Sequence, residues 1–214
     1  MTFTRTMLHP PLVRTALIAV TLLGLCAGGA PVLASNQDPM TVVKDTIGQV
    51  LIILKNPEYR GASEAKRQKL RDAVEGHFDW NEMSRSALGY HWRNLSGADR
   101  EKFCELFKRF MEASYIGKIE SYSGQQINYV HVTPDGPGYS TVYTTIVQTS
   151  GDPIKVNYTM RQEGGDCKVS DVTIDGISIV ANYRNQFNRV INNRGLPALL
   201  DDLKRKQAQI EAGS

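Results

Sequence analysis

Side chains that commonly carry out metal or acid–base chemistry are sparse in this sequence. Beyond residue 34 there are three histidines, His77, His91 and His131, and two cysteines, Cys104 and Cys167. None of them has the His-x-x-x-His or Cys-x-x-Cys spacing that places two ligands side by side on a helix or in a turn, as zinc sites usually require. We therefore predict no metal site and no cofactor.

One group of residues could support catalysis without a metal. His131, Asp171 and a tyrosine could transfer protons if a cone-shaped fold brought them into one cavity. The sequence has no Gly-x-Ser-x-Gly elbow and no phosphate-binding glycine loop. A carboxylate such as Asp171 more often bonds to backbone donors or to an arginine. We favour that structural role for Asp171, as for Arg85 and Arg184, and predict no catalytic residues and no enzyme.

The N-terminal 34 residues have the pattern of a secretory signal peptide. Arg5 and Arg14 precede an apolar run at 15–27. Small and apolar residues then follow up to Ala34. This order predicts cleavage before Ser35 and hence a periplasmic protein. The apolar run is too short to span a bilayer comfortably.

Removal of this segment leaves a nearly neutral chain. Residues 1–34 hold two of the 25 basic residues and none of the 22 acidic ones, so 23 and 22 remain, a net charge of +1. A nucleic-acid-binding protein needs a basic field, so we exclude nucleic acid as a partner. We expect one domain over 35–214. In an oxidising compartment Cys104 and Cys167 could form a disulfide or could be two buried apolar residues.

The periodicity of apolar residues predicts helices, then strands, then helices. Caps at Asp38, Asp79 and Ser96 begin helices in a mainly helical part over 35–124, and helices return over 176–210. Between 125 and 175 the period is that of strands, and the turns are short, which favours an antiparallel sheet of four or slightly more strands. We predict an α+β fold with strands at 127–132, 139–148, 154–161 and 167–174.

The predicted strand at 139–148 leaves two interpretations open. Neither of its faces is fully polar or fully aliphatic. One interpretation is a sheet with one face on helices and a threonine-rich face in solvent. The other is a curved sheet whose concave side lines a cavity for an amphipathic ligand. The pattern alone does not choose between them.

Three segments carry a resemblance to a known family. FDWNEMSRSALGYHW stands at 78–92, FKRFMEASYIGKIESYSGQ at 107–125 and VSDVTIDGISIVANYRNQF at 169–187. In this order behind a signal peptide they resemble the MlaC family, also called the toluene-tolerance or auxiliary ABC-transport family, over about residues 38–203. One departure is Cys167, where the family often has tryptophan. The third segment is the most specific, with Asp171, Gly176, Ser178, Tyr183, Arg184 and Phe187 in place.

The resemblance implies a fold and a function. MlaC-like proteins are periplasmic carriers that move a phospholipid between an outer-membrane lipoprotein complex and an inner-membrane ABC transporter, and so maintain outer-membrane lipid asymmetry. Their fold resembles the nuclear-transport-factor-2-like cone: a curved antiparallel sheet wrapped by helices, with acyl chains inside. Two alternatives remain, a carrier of another lipid such as a hopanoid or quinone, and a small-molecule enzyme on the same cone.

Alternation and helical spacing nominate the residues that would line the cavity. A shift of one residue in a strand would reverse its face, so the assignment depends on the register. From the strands we expect Val142, Ile146, Val156, Tyr158, Val172 and Ile174 to bind lipid, and from the helices Leu106, Phe110, Tyr115, Tyr183 and Phe187.

Overall fold

Helices precede and follow the sheet, as predicted. The computed structural model describes residues 37–59 and 64–212, and the predicted signal peptide lies outside the described residues. The α+β fold is confirmed. The helices are α1 (Pro39–Lys55), α2 (Glu64–Glu75), α3 (Trp80–Leu88), α4 (Gly97–Glu120) and α5 (Ile179–Ala212), with 3₁₀ turns at Pro57–Tyr59 and Gly89–Asn94.

Local signals account for the helix boundaries. The side chains of Asp38, Asp79 and Ser96 accept hydrogen bonds from backbone N–H groups three residues later, at 2.9, 2.9 and 3.1 Å, and so begin α1, α3 and α4. Within α5 the backbone leaves the helical conformation at Gly195 (φ 80°) and Pro197 follows it. This break divides α5 into two helical segments.

The strands form one antiparallel meander in the order β1-β2-β3-β4-β5. Five strands agree with the prediction of four or slightly more, although the position of the fifth was not predicted. Asp175 and Gly176, with φ of 47° and 84°, make a two-residue turn of the kind that closes hairpins, and Ile174 pairs with Ile177 across it. The strands are β1 (Ile127–Gly136), β2 (Tyr139–Ile146), β3 (Ile154–Glu163), β4 (Asp166–Ile174) and β5 (Ile177–Ser178).

Irregular pairing bends the sheet. The register between β1 and β2 shifts between Tyr129 and His131, and that between β3 and β4 shifts between Thr159 and Met160. At the second shift Ser170 is left outside the ladder, and its hydroxyl donates to the Thr159 carbonyl at 3.1 Å. Bulges of this kind increase twist and bend a strand, and we call the side of the sheet against which α1 packs the concave face.

Two apolar cores hold the fold together. In the first, Phe103 and Phe107 of α4 pack edge-on against Phe187 of α5, with ring centroids 5.8 and 5.6 Å apart. In the second, α1 lies on the concave face of the sheet through Val42 and Val43. Two partly buried side chains, Phe78 and Val172, pack against both cores.

Candidate functional site

The sheet register places the six nominated strand residues on one face. Val142 lies opposite Tyr158, and Tyr158 lies opposite Val172. Directly paired residues of neighbouring strands point to the same side, and residues two apart in a strand do so as well. Val156, paired with Ile174, and Ile146 therefore share this concave face. α1 covers part of it.

The nominated helix residues form a continuous aromatic surface. Tyr183 of α5 meets Phe110 of α4 edge-on, with ring centroids 5.3 Å apart, and stacks on Phe187 at 5.5 Å. Leu106 and Tyr115 of α4 pack against the same core. Two strand residues, Val172 and Ile174, also pack against it, so the helical and strand groups meet at β4.

Burial divides the nominated residues into two classes. Val142 is fully buried (0 % exposed) beneath α1, and Val156, Phe110 and Phe187 are nearly so. These residues support the scaffold, whereas a side chain that keeps accessible surface has area that an acyl chain could cover. The partly buried members are Leu106, Tyr115, Ile146, Tyr158, Val172, Ile174 and Tyr183.

Thr144 lies on the same face but was not nominated as a lipid contact. It pairs with Val156 and is 1 % exposed, and its hydroxyl donates to the Val156 carbonyl at 2.7 Å. The hydroxyl is therefore satisfied by the neighbouring strand, which removes the cost of burying it. The alternation of β2 already places Thr144 between Val142 and Ile146 on this face.

The main packing partners of α4 are other helices. The main helix contacts of the sheet come from α1, α3 and α5, whereas α4 packs mainly against α2, α3 and α5. The partly buried side chains of α4, Leu106 and Tyr115, thus belong to a helix whose closest packing is with helices.

One end of the concave face is incompletely covered. Ile127 pairs with Ile146, which pairs with Ile154, and on the neighbouring strands Ile174 pairs with Ile177. We call these five residues the isoleucine rim. None is fully buried, and Ile177 is 66 % exposed. α4 leads into β1 at this end and α5 begins directly after β5, so each of these helices has one terminus near this end of the sheet.

Tyrosine hydroxyls lie among these apolar side chains. Burial raises the pKa of Tyr158 to about 12, with a smaller contribution from Tyr129, and a hydrogen bond to Thr144 opposes the rise. Burial also raises the pKa of Tyr115 to about 12, assisted by its neighbour Tyr183. Because these phenols stay neutral at physiological pH, they offer hydrogen bonds without introducing charge into the apolar region.

The residues considered for acid–base chemistry are not brought together. His131 stacks on Tyr143, with ring centroids 4.4 Å apart, and Tyr143 points away from the concave face that carries Val142. His131 lies on β1 and Asp171 on β4, three strand spacings or about 14 Å apart. This arrangement does not provide a catalytic pair.

The three charged residues given structural roles make scaffold contacts. Asp171 accepts hydrogen bonds from the N–H groups of Val172 (2.8 Å) and Val180 (3.1 Å). Arg184 donates to the Ser86 carbonyl at 2.6 Å, and Arg85 pairs with Glu82 at 2.6 Å. The contacts of Asp171 and Arg184 join secondary-structure elements, whereas the Arg85–Glu82 pair lies within α3.

The described part of the chain contains neither a disulfide nor a cluster of metal ligands. Cys104 and Cys167 are both free thiols and do not form a disulfide in the structure. Cys167 is buried and Cys104 is half-buried, as expected of cysteines that act as small apolar residues. No group of three or more His, Cys, Asp or Glu residues over 37–59 and 64–212 could hold a metal ion. Over the same residues no helix combines the length and apolarity needed to cross a bilayer.

Two surface clefts lie away from the nominated residues. One, of about 620 Å³, runs between α3 and β3–β4, and the ion pair of Arg161 with Asp79 (2.7 Å) crosses it. The other, of about 480 Å³, is bordered by α2, α4 and the end of α5. Charged side chains dominate both clefts, so neither suits acyl chains.

Comparison with known proteins decides the family. The sequence model of the MlaC protein family matches residues 44–205, most of the chain and all three quoted segments. The chain belongs to the MlaC family. Toluene tolerance protein ttg2D of Pseudomonas putida is similar to this MlaC-family protein, with 26 % identity over 177 residues, covering 81 % of this chain and 82 % of that one.

Two further relatives extend the comparison of this MlaC-family protein. The intermembrane phospholipid transport system binding protein MlaC of Haemophilus influenzae is 25 % identical over 126 residues, covering 57 % of this chain and 59 % of that one. A phospholipid-binding protein of Ralstonia solanacearum, solved in complex with a phospholipid, superposes with a TM-score of 0.74 at 24 % identity, over 82 % of this chain and 99 % of that one. The superposition shows a shared fold.

Proposed function

We propose that this MlaC-family protein is a periplasmic phospholipid carrier and not an enzyme. The observation that carries the proposal is that two apolar surfaces meet at β4, the concave face of β2–β4 and the aromatic surface of α4 and α5, and that the isoleucine rim at one end of the sheet is not fully buried. The names of the relatives from Haemophilus influenzae and Ralstonia solanacearum, which state phospholipid transport and binding, support this ligand class.

The energetics of lipid transfer explain why such a site would be useful. Two acyl chains of about sixteen carbons contain some thirty methylenes, and exposing them to water costs about 24 kcal/mol at ~0.8 kcal/mol each. A carrier must offset most of this cost, yet it must not bind so strongly that release fails. A surface of aliphatic and aromatic side chains with neutral hydroxyls meets both needs, since it resembles the bilayer interior and holds no fixed charge.

The acyl chains would lie between α4 and the middle of the sheet in this proposal. Leu106 and Tyr115 would contact them from the helical side, and Tyr158 and Val172 from the strands. All four side chains keep accessible surface. The chains would enter over the isoleucine rim, where Ile146 and Ile177 are incompletely covered.

The route of transport is the finer part of the proposal. In this proposal the protein exchanges lipid with two partners, an outer-membrane lipoprotein complex and an inner-membrane ABC transporter complex. The direction of transfer between them is left open. Such a shuttle would maintain the lipid asymmetry of the outer membrane. It requires export, for which the sequence at 1–34 provides a predicted signal peptide cleaved before Ser35.

Native mass spectrometry of the protein purified from its own periplasm tests this function. We expect a mass excess equal to one or more phospholipids, and phosphorus in the organic extract. An extract containing a hopanoid or quinone and no phosphorus would favour the alternative carrier. A protein free of lipid that also takes up none from vesicles would remove the carrier function.

A further inference from the structure

Two lysines lie over tyrosine rings beside the proposed lipid site. The Lys118 ammonium is 5.2 Å from the centre of the Tyr115 ring, and the Lys44 ammonium is 5.5 Å from the centre of the Tyr129 ring. Both lysines are exposed and both tyrosines are partly buried. In each pair, a cation in solvent therefore contacts an aromatic ring that is partly buried in the protein.

The tyrosines of these pairs lie beside residues of the proposed acyl-binding site. Tyr115 interacts with Tyr183, and both are nominated lipid contacts. Tyr129 pairs across the strands with Thr144, and Thr144 pairs in turn with Val156 of the concave face. Each lysine thus lies over a ring that borders this site.

Both lysine–tyrosine pairs lie towards the same end of the sheet. α4 ends two residues after Lys118 and leads into β1, where Tyr129 is two residues from Ile127 of the isoleucine rim. Burial raises the pKa of Tyr129, and Tyr122, which follows α4, is near enough to add to the rise. The C-terminal end of α4 therefore lies near the tyrosine ring over which Lys44 stands.

Nearby carboxylates have other partners. Glu120, two residues after Lys118, pairs with Arg67 at 3.2 Å. Asp38 accepts hydrogen bonds from Thr41 at 2.9 and 2.7 Å, and these bonds lower its pKa, with a smaller contribution from the charge of Lys44. Among the ion pairs of the described residues neither Lys44 nor Lys118 takes part, so both ammonium groups keep donors for a ligand.

We propose that Lys44 and Lys118 bind the head group of the carried lipid and give the protein a preference for phospholipids of net negative charge. The inference rests on the proposed carrier function. An ammonium group forms charge-assisted hydrogen bonds with phosphate oxygens, and an extra negative charge on the head group adds to the attraction. Tyr115 and Tyr129 keep each lysine chain extended towards the opening.

Lipid uptake from vesicles of defined composition tests the preference. Purified, delipidated protein is incubated with vesicles of phosphatidylglycerol (net negative) or phosphatidylcholine (zwitterionic), separated by size, and its bound lipid is measured by mass spectrometry. We expect about five-fold more phosphatidylglycerol than phosphatidylcholine, the scale of partly exposed charge pairs. In the double variant Lys44→Gln/Lys118→Gln, uptake of phosphatidylglycerol should fall by more than uptake of phosphatidylcholine, so that the five-fold preference is lost.

A matched control separates head-group binding from general attraction to an anionic vesicle. The double variant Lys69→Gln/Lys206→Gln removes the same charge from exposed positions on α2 and α5 and should keep the preference. Equal uptake of both lipids by the unsubstituted protein, or equal loss of preference in both double variants, overturns the inference while the carrier function stands. Uptake of neither lipid overturns the carrier function itself.

Discussion

The carboxylate of Asp171 accepts a hydrogen bond from the backbone N–H of Val180 at 3.1 Å, so a residue of β4 caps the first turn of α5. Ser178 strengthens this junction, because its hydroxyl donates to Asp171 and accepts from the Ala181 N–H at 3.0 Å. A strand and a helix that each carry two of the eleven nominated lipid contacts are thereby fixed to each other.

Replacing Asp171 with alanine should destabilise the protein without removing its lipid. Since the N–H of Val180 and the hydroxyl of Ser178 lose their acceptor, we expect the free energy of unfolding to fall by about 1–2 kcal/mol. Urea unfolding measures this. Asp166→Ala, which removes an exposed carboxylate 4.0 Å from Lys168, is the control and should cost less than about 0.5 kcal/mol. Unchanged stability with loss of bound lipid would instead assign Asp171 to the binding site.

Glutamate at Ile146 should leave the fold intact and empty the site. Ile146 belongs to the incompletely covered rim, so its replacement stays hydrated, but a carboxylate beside acyl chains is costly. We expect folded protein with little co-purifying lipid, measured by circular dichroism and lipid extraction. Thr145→Glu, on the opposite face, should retain lipid. Full lipid occupancy in Ile146→Glu would contradict the assignment of the rim.

Glutamate at Val142, four residues away on the same face, should have a different effect. Val142 is 0 % exposed beneath α1, where a charge finds neither water nor a partner. We expect the free energy of unfolding to fall by about 3–5 kcal/mol, the scale of an uncompensated buried charge. Chemical denaturation would measure the loss. A stable Val142→Glu protein would show that water reaches the face under α1.

The raised pKa of Tyr158 makes stability depend on alkaline pH. Burial raises it from 10.0 to about 12, so the unfolded chain releases this proton at lower pH than the folded protein. The stabilising contribution is therefore complete below about pH 10 and is lost as the pH rises through about 12. Tyr158→Phe should lose less stability over this interval than the unsubstituted protein. Urea unfolding at several pH values measures both losses. Equal losses of stability in Tyr158→Phe and in the unsubstituted protein would show that the Tyr158 hydroxyl is in contact with water.

The two thiols should react slowly in the native protein. Burial raises the pKa of Cys167 to about 11 and raises that of Cys104 as well, so little thiolate is present at neutral pH. A chromogenic disulfide reagent should label both rapidly after denaturation and slowly before it. Absence of free thiols in denatured, unreduced protein would reveal a disulfide between them.

Short-range features were predictable because their causes are local. Asp38, Asp79 and Ser96 cap helices through atoms three residues away, and the alternation in β2 put Val142 and Ile146 on one face before the register was known. The hairpin into β5 was missed although Asp175-Gly176 is a strong turn signal. Its two-residue strand is too short to show any alternation.

The sequence by itself determined the order of helices and strands, the family resemblance and the composition of the concave face. Only the tertiary structure decided which residues of that face are covered. Val142 and Ile146 have similar side chains and the same orientation, yet α1, about a hundred residues earlier, covers the first and leaves the second at the rim. Local periodicity records which way a side chain points, whereas burial depends on which distant element packs against it.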